Sequence, residues 1–257
     1  MPEPNAMKHN ESDGMELKYV RLVLVRHGES VWNRDQLFTG WADVDLTDDG
    51  IAQMHHAAQA LRDAAVEFDI AFSSVLTRCI RSQWALLEAL HCMWIPQALD
   101  WRLNERHYGG LTGRSKEEAV RIFGASAVQR WRRDYDTVPP PLDEVAASHI
   151  LLDRRYAHLA PHELPTAESL RQTVLRVGAA WRQGIAPALL SGQRVLITGH
   201  GNALRALIQL IEGLPDDAVS HIEVANGTPL VYDLDQALSL VRKRELTVPE
   251  WPRSHIL

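Results

Sequence analysis

The chain has little cysteine: two in 257 residues, Cys79 and Cys92. With no CxxC pair they build neither a Cys-rich zinc site nor a disulfide framework. Both lie in apolar stretches, where buried, reduced thiols of a cytoplasmic protein are expected. No apolar run approaches the ~18 residues of a membrane span. The polar stretch Met1 to Glu16 has no apolar h-region, so it does not read as a secretory signal. Residues 1–18 read as a tail in which Met15 offers an alternative start. There is no surplus of positive charge. Lys and Arg number 27 against 33 Asp and Glu, a net charge of −6, which argues against generic nucleic-acid or anionic-membrane partners. Histidine is plentiful but shows no metal-ligand spacing: His55 and His56 are adjacent and face different ways, and His91, His149, His158, His162, His221 and His255 are scattered. No metal is expected. Internal repeats are also missing.

What is present is a globular composition, 46% hydrophobic and 23% charged. The length fits one large domain or two small ones at ~150 residues each, and one core of this size needs no metal or disulfide staple. Tyr19–Val25 is a short β-branched apolar run and reads as a buried strand. Thr47 opens a helix with apolar positions at Ile51, Met54, Ala58, Leu61 and Ala65. Phe68–Phe72 reads as a second strand and Thr77–Leu90 as a helix. Ser115-Lys-Glu-Glu118 fits a capping box. The run Val138–Pro141 ends in three consecutive prolines and must be irregular, within a long excursion that continues to about Pro165. Leu170, Val174, Val177 and Trp181 mark a helix, Arg194–Thr198 a third strand, Ala203–Ile211 a helix stopped by Gly213, and Pro229–Tyr232 a fourth strand after an Asn226-Gly227 turn. Strands alternating with helices, several of them apolar throughout, predict an α/β fold: a mostly parallel central sheet with helices on both faces and a helical and loop insertion. No linker divides the core, so residues 19–245 read as a single catalytic domain and residues 246–257 as a C-terminal tail.

The chemistry is concentrated where two buried strands run straight into His-Gly: Arg26-His27-Gly28-Glu29-Ser30 and Gly199-His200-Gly201-Asn202. Ligands of open α/β sheets bind outside the carboxyl ends of the strands, and a helix start such as the one after His200 suits an anion. A lone histidine there is usually structural; two such units weaken that reading. Arg26 adjoins His27, Arg78 begins a helix after Ser73-Ser74, and Arg132 and Arg133 lie side by side, a pair that taken alone reads as solvated surface charge. Arginine binds phosphate in a bidentate way. A neutral imidazole can attack phosphorus, arginines and a second, protonated histidine can surround the transferring group, and a carboxylate such as Glu105 can carry the proton. The bland reading of Glu105 is an ion pair with Arg106.

With Trp32-Asn33, Phe38-Thr-Gly-Trp41, Leu103-Asn-Glu-Arg-His-Tyr-Gly109, Trp131-Arg-Arg133, His200-Gly-Asn-Ala-Leu-Arg205 and Asn226-Gly-Thr-Pro-Leu-Val-Tyr232, the Arg-His-Gly-Glu-Ser run resembles the histidine phosphatase superfamily. More narrowly it resembles the 2,3-bisphosphoglycerate-dependent phosphoglycerate mutases, over about Tyr19 to Glu245. The resemblance implies that 3-phosphoglycerate and 2-phosphoglycerate are interconverted through a phosphohistidine primed by 2,3-bisphosphoglycerate, without a metal. By the same resemblance His27 is phosphorylated, Glu105 moves the proton, and His200 stabilises the phosphoryl group. Arg26, Arg78 and the backbone after Gly201 surround that group. Ser30, Asn33, Thr39 and Gly40 contact the substrate, and Tyr108, Lys116, Arg132 and Arg133 hold its carboxylate and far phosphate. Arg106, His107 and Asn202 count with the binding residues. A homodimer or homotetramer is common in the family.

The chain departs from the family pattern at Thr198-Gly199, where two alanines are usual and a glycine loosens the strand end. It departs again at Arg114-Ser115, which adds charge near the mouth; at Arg154, where proline is usual; and after Arg242-Lys-Arg244, where the family's covering segment gives way to an unfamiliar ending. The alternative reading is a phosphate-monoester phosphatase of the same superfamily. A degenerate, non-catalytic binding protein is disfavoured by the retention of His27, Arg78, Glu105 and His200.

Overall fold

The computed structural model describes residues 19–248; the N-terminal tail, Met15 and residues 249–257 of the C-terminal tail lie outside them. In chain order the strands are β1 (Val20–Arg26), β2 (Ile70–Ser73), β3 (Gln97–Leu99), β4 (Val195–Gly199), β5 (Pro229–Leu234) and β6 (Leu240–Glu245). The helices are α1 (Val31–Arg34), α2 (Asp48–Asp63), α3 (Thr77–Ala89), α4 (Lys116–Phe123), α5 (Ala125–Arg133), α6 (Glu144–Leu151), α7 (Leu170–Ala180), α8 (Ala186–Leu190), α9 (Gly201–Glu212) and α10 (Asp216–Val219).

The six strands form one sheet in the order β3-β2-β4-β1-β5-β6. The first four are parallel to one another, β5 runs antiparallel to β1, and β6 antiparallel to β5. Successive side chains of a strand point to opposite faces, and both faces are covered. Leu22, Leu24, Val195 and Ile197 pack under α7, α8 and α9, with Val177, Leu189, Leu204 and Leu207. Val23, Val25, Ala71 and Leu196 pack under α2 and α3, with Met54, Leu61, Leu86 and Leu87. The predicted α/β sheet with helices on both faces is therefore present.

Two strands escape the sequence reading. β3 is a three-residue edge strand with two exposed positions, too short for any periodicity. β6, Leu-Val-Arg-Lys-Arg-Glu, is an exposed edge strand, and charge on an edge strand blocks further pairing rather than signalling burial. The Ser115 cap forms only in part. Its hydroxyl accepts from the Glu118 amide, but the Glu118 carboxylate turns to Arg114 at 2.8 Å. Arg154 occupies the first position of a 3-10 turn capped by Asp153, the place where proline is at home. The insertion folds into α4, α5 and α6; Gly124 alone separates α4 from α5, whereas the irregular residues 134–143 lead to α6, and α4 and α5 close a small core of Phe38, Leu111, Ala119 and Val128.

Candidate active site

The parallel strands deliver the site at their carboxyl ends. Register places Arg26 opposite Gly199, so the residues that follow, His27 and His200, meet with ring centroids 5.1 Å apart at 66°. β2 ends at Ser73, Ser74 follows it toward Arg78 on α3, and the loop after β3 carries Glu105.

The His27 backbone is fixed on both sides. Its amide donates to Gly199 O at 3.0 Å, and its carbonyl accepts from Asn226 Nδ2 at 2.7 Å. Nδ1 lies 2.7 Å from the Gly28 carbonyl. A carbonyl only accepts, so the neutral ring carries its proton on Nδ1, and Nε2 keeps the free lone pair. Burial, then Arg78 and Arg26, hold the His27 pKa well below the usual imidazole value. The result is a neutral imidazole with a free lone pair beside cations. Gly28 admits no side chain, because a Cβ there would stand 2.0 Å from the Gly50 carbonyl oxygen of α2.

His200 is fully buried. Its Nε2 lies 2.8 Å from Ser74 Oγ and 3.3 Å from Cys79 Sγ, while Nδ1 finds no partner among the described residues. Burial, followed by Arg78 and His27, drives its pKa down as well. The positive charge anticipated on His200 is thus not its resting form; desolvation wins until an anion lies against the ring. Cys79 is a buried thiol pushed up to about 12 by desolvation, so it contacts His200 as a neutral group. Gly199 does not loosen the strand end: a Cβ there would press within 2.7 Å of Leu204, so the glycine is the counterpart of a large neighbour.

Arg78 is buried and donates to Gly40 O at 2.7 Å and Ala42 O at 2.8 Å, which fixes its guanidinium. Arg26 donates to Val224 O at 2.8 Å and leaves Nε without a partner among the described residues. Glu105 does not pair with the Arg106 guanidinium. Its Oε1 accepts from the Arg106 amide at 2.8 Å and the Asn202 amide at 3.1 Å. The start of α9, anticipated as a phosphoryl cradle, thus holds the carboxylate, as the positive end of a helix favours.

One cavity of about 150 Å³ is lined by Arg26, His27, Asn33, Thr39, Gly40, Arg78, Glu105, Tyr108, Lys116 and Arg132, together with Leu37 and Phe38. The remaining expected binding residues are absent from this lining. Ser30 caps α1, exchanging hydrogen bonds with Asn33. The Arg106 guanidinium is buried over the Tyr108 ring at 4.8 Å and donates to Trp131 O. His107 is buried, accepts from the Gly109 amide through Nδ1, and has its pKa lowered by desolvation to about 4. Arg133 turns to Ser220 O at 2.8 Å. Gly201 and Asn202 act behind Glu105, and Asn202 Nδ2 donates to Tyr108 Oη at 3.2 Å. Arg114 joins Gly110 O and Glu118 and is also absent from the cavity lining. Asn226 and Ser74 reach the two histidines without having been singled out as site residues. The Asn-Gly turn and the Ser-Ser pair were visible, but nothing local linked them to residues so distant in sequence. A larger hollow of about 420 Å³ around Arg62, Phe68, Cys92 and Arg194 has other residues in its walls. There Arg194 is already paired with Glu67 and Asp69. Among the described residues no group of three His, Cys, Asp or Glu side chains is placed to hold a metal ion, and no helix is long and apolar enough to cross a membrane.

The comparisons with known proteins give the class of enzyme to which this site belongs. The family model for the histidine phosphatase superfamily, branch 1, matches residues 22–157 and 142–243, and the chain belongs to that superfamily. Among solved structures it is similar to a putative alpha-ribazole-5'-P phosphatase from Escherichia coli, with TM-score 0.66 and 24% identity over 89% of this chain and 96% of that one. It is also similar to the alpha-ribazole phosphatase of Shigella flexneri (TM-score 0.65, 25% identity, 89% and 95% covered). A third is a mycobacterial glucosyl-3-phosphoglycerate phosphatase (TM-score 0.65, 21% identity, 90% and 98% covered). Those likenesses carry the fold; the superfamily carries the enzyme class.

Proposed function

We propose that the protein moves a phosphoryl group through His27 Nε2 on a small substrate with more than one anionic group, and that the reaction is the interconversion of 3-phosphoglycerate and 2-phosphoglycerate. The observation that supports it is the charge of the cavity: Arg26, Arg78, Lys116 and Arg132 line it with a single carboxylate, Glu105. Lys116 is held below the usual lysine value by burial and then by Arg132, a strain that a bound dianion relieves. In this reading phosphorylated His27 passes its phosphoryl group to the free hydroxyl of 3-phosphoglycerate as Glu105 takes the hydroxyl proton. The other phosphoryl group then returns to His27 as Glu105 gives a proton back. Arg78 and Arg26 balance charge on the transferring oxygens. Lys116 and Arg132 would hold the second phosphate of 2,3-bisphosphoglycerate, whose chemistry is to load His27.

The second reading, a phosphate-monoester phosphatase, is the one that the named structural neighbours support better. In it water replaces the sugar-acid hydroxyl and Glu105 takes its proton. One experiment separates the two. The protein is given 3-phosphoglycerate with and without a trace of 2,3-bisphosphoglycerate, in chelator, and 2-phosphoglycerate and inorganic phosphate are followed. Primer-dependent 2-phosphoglycerate supports the mutase; inorganic phosphate as the main product replaces it with the phosphatase.

A further inference from the structure

The residues that hold the proton carrier in place come from a distant part of the chain. Arg176, on α7, and Glu168, just before it, form a buried ion pair with side chains 7% and 4% exposed. Arg176 Nε and Nη2 meet Glu168 Oε1 at 2.8 Å and Oε2 at 2.7 Å, the bidentate geometry arginine favours. The same guanidinium gathers the carbonyls of the loop after β3: Nη1 donates to Arg102 O at 2.8 Å and Asn104 O at 3.1 Å, and Nη2 to Glu105 O at 3.3 Å. Glu168 takes the next amide, His107 N at 2.8 Å, and its own amide donates back to His107 O at 2.8 Å. The guanidinium lies against the edge-to-face pair Trp41 and Trp101, 5.6 and 5.9 Å from ring centres that are 6.0 Å apart, and Trp41 Nε1 also donates to Glu105 O at 2.6 Å. A buried ion pair is weak evidence of stabilisation. This one is built around the backbone on both sides of Glu105.

We infer that Arg176 and Glu168 are positioning residues for Glu105, keeping its carboxylate where it can exchange a proton with the substrate oxygen. The inference rests on Glu105 being the proton carrier. Neither residue lines the cavity, so the effect should follow the need for that proton. When an alkyl phosphate phosphorylates His27, the phosphorus–oxygen bond of the ester breaks, a bond forms to Nε2, and the departing alkoxide takes the Glu105 proton. With 4-nitrophenyl phosphate the departing phenolate is stable without it.

The test uses the full chain and compares single-turnover phosphorylation of His27 by an alkyl phosphate such as 3-phosphoglycerate and by 4-nitrophenyl phosphate. Glu105→Gln is the control for the underlying reading. It should slow the alkyl phosphate at least 100-fold more than the nitrophenyl ester, and equal losses would remove the proton-carrier role itself. Given that control, Arg176→Lys and Glu168→Gln should slow the alkyl phosphate at least tenfold while changing the nitrophenyl ester less than threefold. Placed on Glu105→Gln, either should add less than threefold. Equal losses with both esters, additive losses on the Glu105→Gln background, or no loss in variants shown folded by urea titration would each overturn the inference.

Discussion

Acid should destabilise this fold through its buried imidazoles. His27, His200 and His107 are buried and each titrates below its usual value, chiefly because of desolvation. An imidazole whose folded pKa lies below its unfolded value of about 6.5 binds a proton first in the unfolded chain. Its contribution is therefore complete above pH 6.5 and is lost as pH falls toward the folded value. At one pKa unit per 1.36 kcal/mol, each group costs about 1.4 kcal/mol between pH 7.5 and 5.5, and the three together about 4 kcal/mol. That is a large part of an ordinary domain stability of roughly 5–15 kcal/mol. Asp69 and Asp153, held low by Arg194 and Arg155, act only below about pH 4 and leave this window clear. Urea unfolding at pH 7.5, 6.5 and 5.5 gives the slope of stability against pH, which counts protons taken up on unfolding. The expected uptake at pH 5.5 approaches three, falling to two in His27→Asn. Uptake of less than one proton in the parent, or an unchanged slope in His27→Asn, would refute the assignment of buried neutral rings.

Three further outcomes follow from the geometry. Gly28→Ala should lose about 3 kcal/mol or fail to fold, since its methyl group would strike the α2 backbone; urea titration of the soluble fraction decides it. Arg78→Lys should slow phosphohistidine formation by roughly 100-fold or more, because one ammonium cannot serve both the Gly40 and Ala42 carbonyls and the phosphoryl oxygens. Loss of less than tenfold in rapid-quench labelling would argue against that role. Lys116→Met should raise KM for 3-phosphoglycerate at least tenfold and leave KM for 4-nitrophenyl phosphate nearly unchanged, and steady-state kinetics with both esters tests whether Lys116 meets a second anionic group.

Three of the four parallel strands, β1, β2 and β4, were legible because they are short apolar runs, each followed by helical periodicity or a cap, and because two of them run into the same His-Gly step. Local patterns also placed Thr47 and Gly213 at helix ends. What stayed hidden was set by partners far away. Asn226 looks like a turn residue until its side chain is seen on the His27 carbonyl, and Gly199 looks like a loosening until Leu204 is seen against it. Arg106 and His107 belong to the same motif as Glu105, yet burial sends their side chains to Trp131 and the Gly109 amide rather than into the cavity. Arg133 adjoins Arg132 on α5, but its side chain reaches Ser220 O. A motif fixes which residues travel together; the helix turn and the neighbouring backbone decide which of them face a ligand. The Glu168–Arg176 pair had no local signal, since neither residue lies near a motif.

The position of β4 has a consequence for when the chain becomes reactive. It lies between β2 and β1 in the sheet although it follows them both in the chain by more than 120 residues. Until it slots in, β1 has no parallel neighbour, the His27 amide lacks its acceptor at Gly199, and His200 is nowhere near. Contacts between residues so far apart form slowly and late. During synthesis His27, the nucleophile of the proposed reaction, emerges early and waits unarmed until the second histidine arrives. A chain truncated before Gly199 should therefore take no phosphoryl label, which makes labelling of His27 a measure of how much of a sample has completed its sheet.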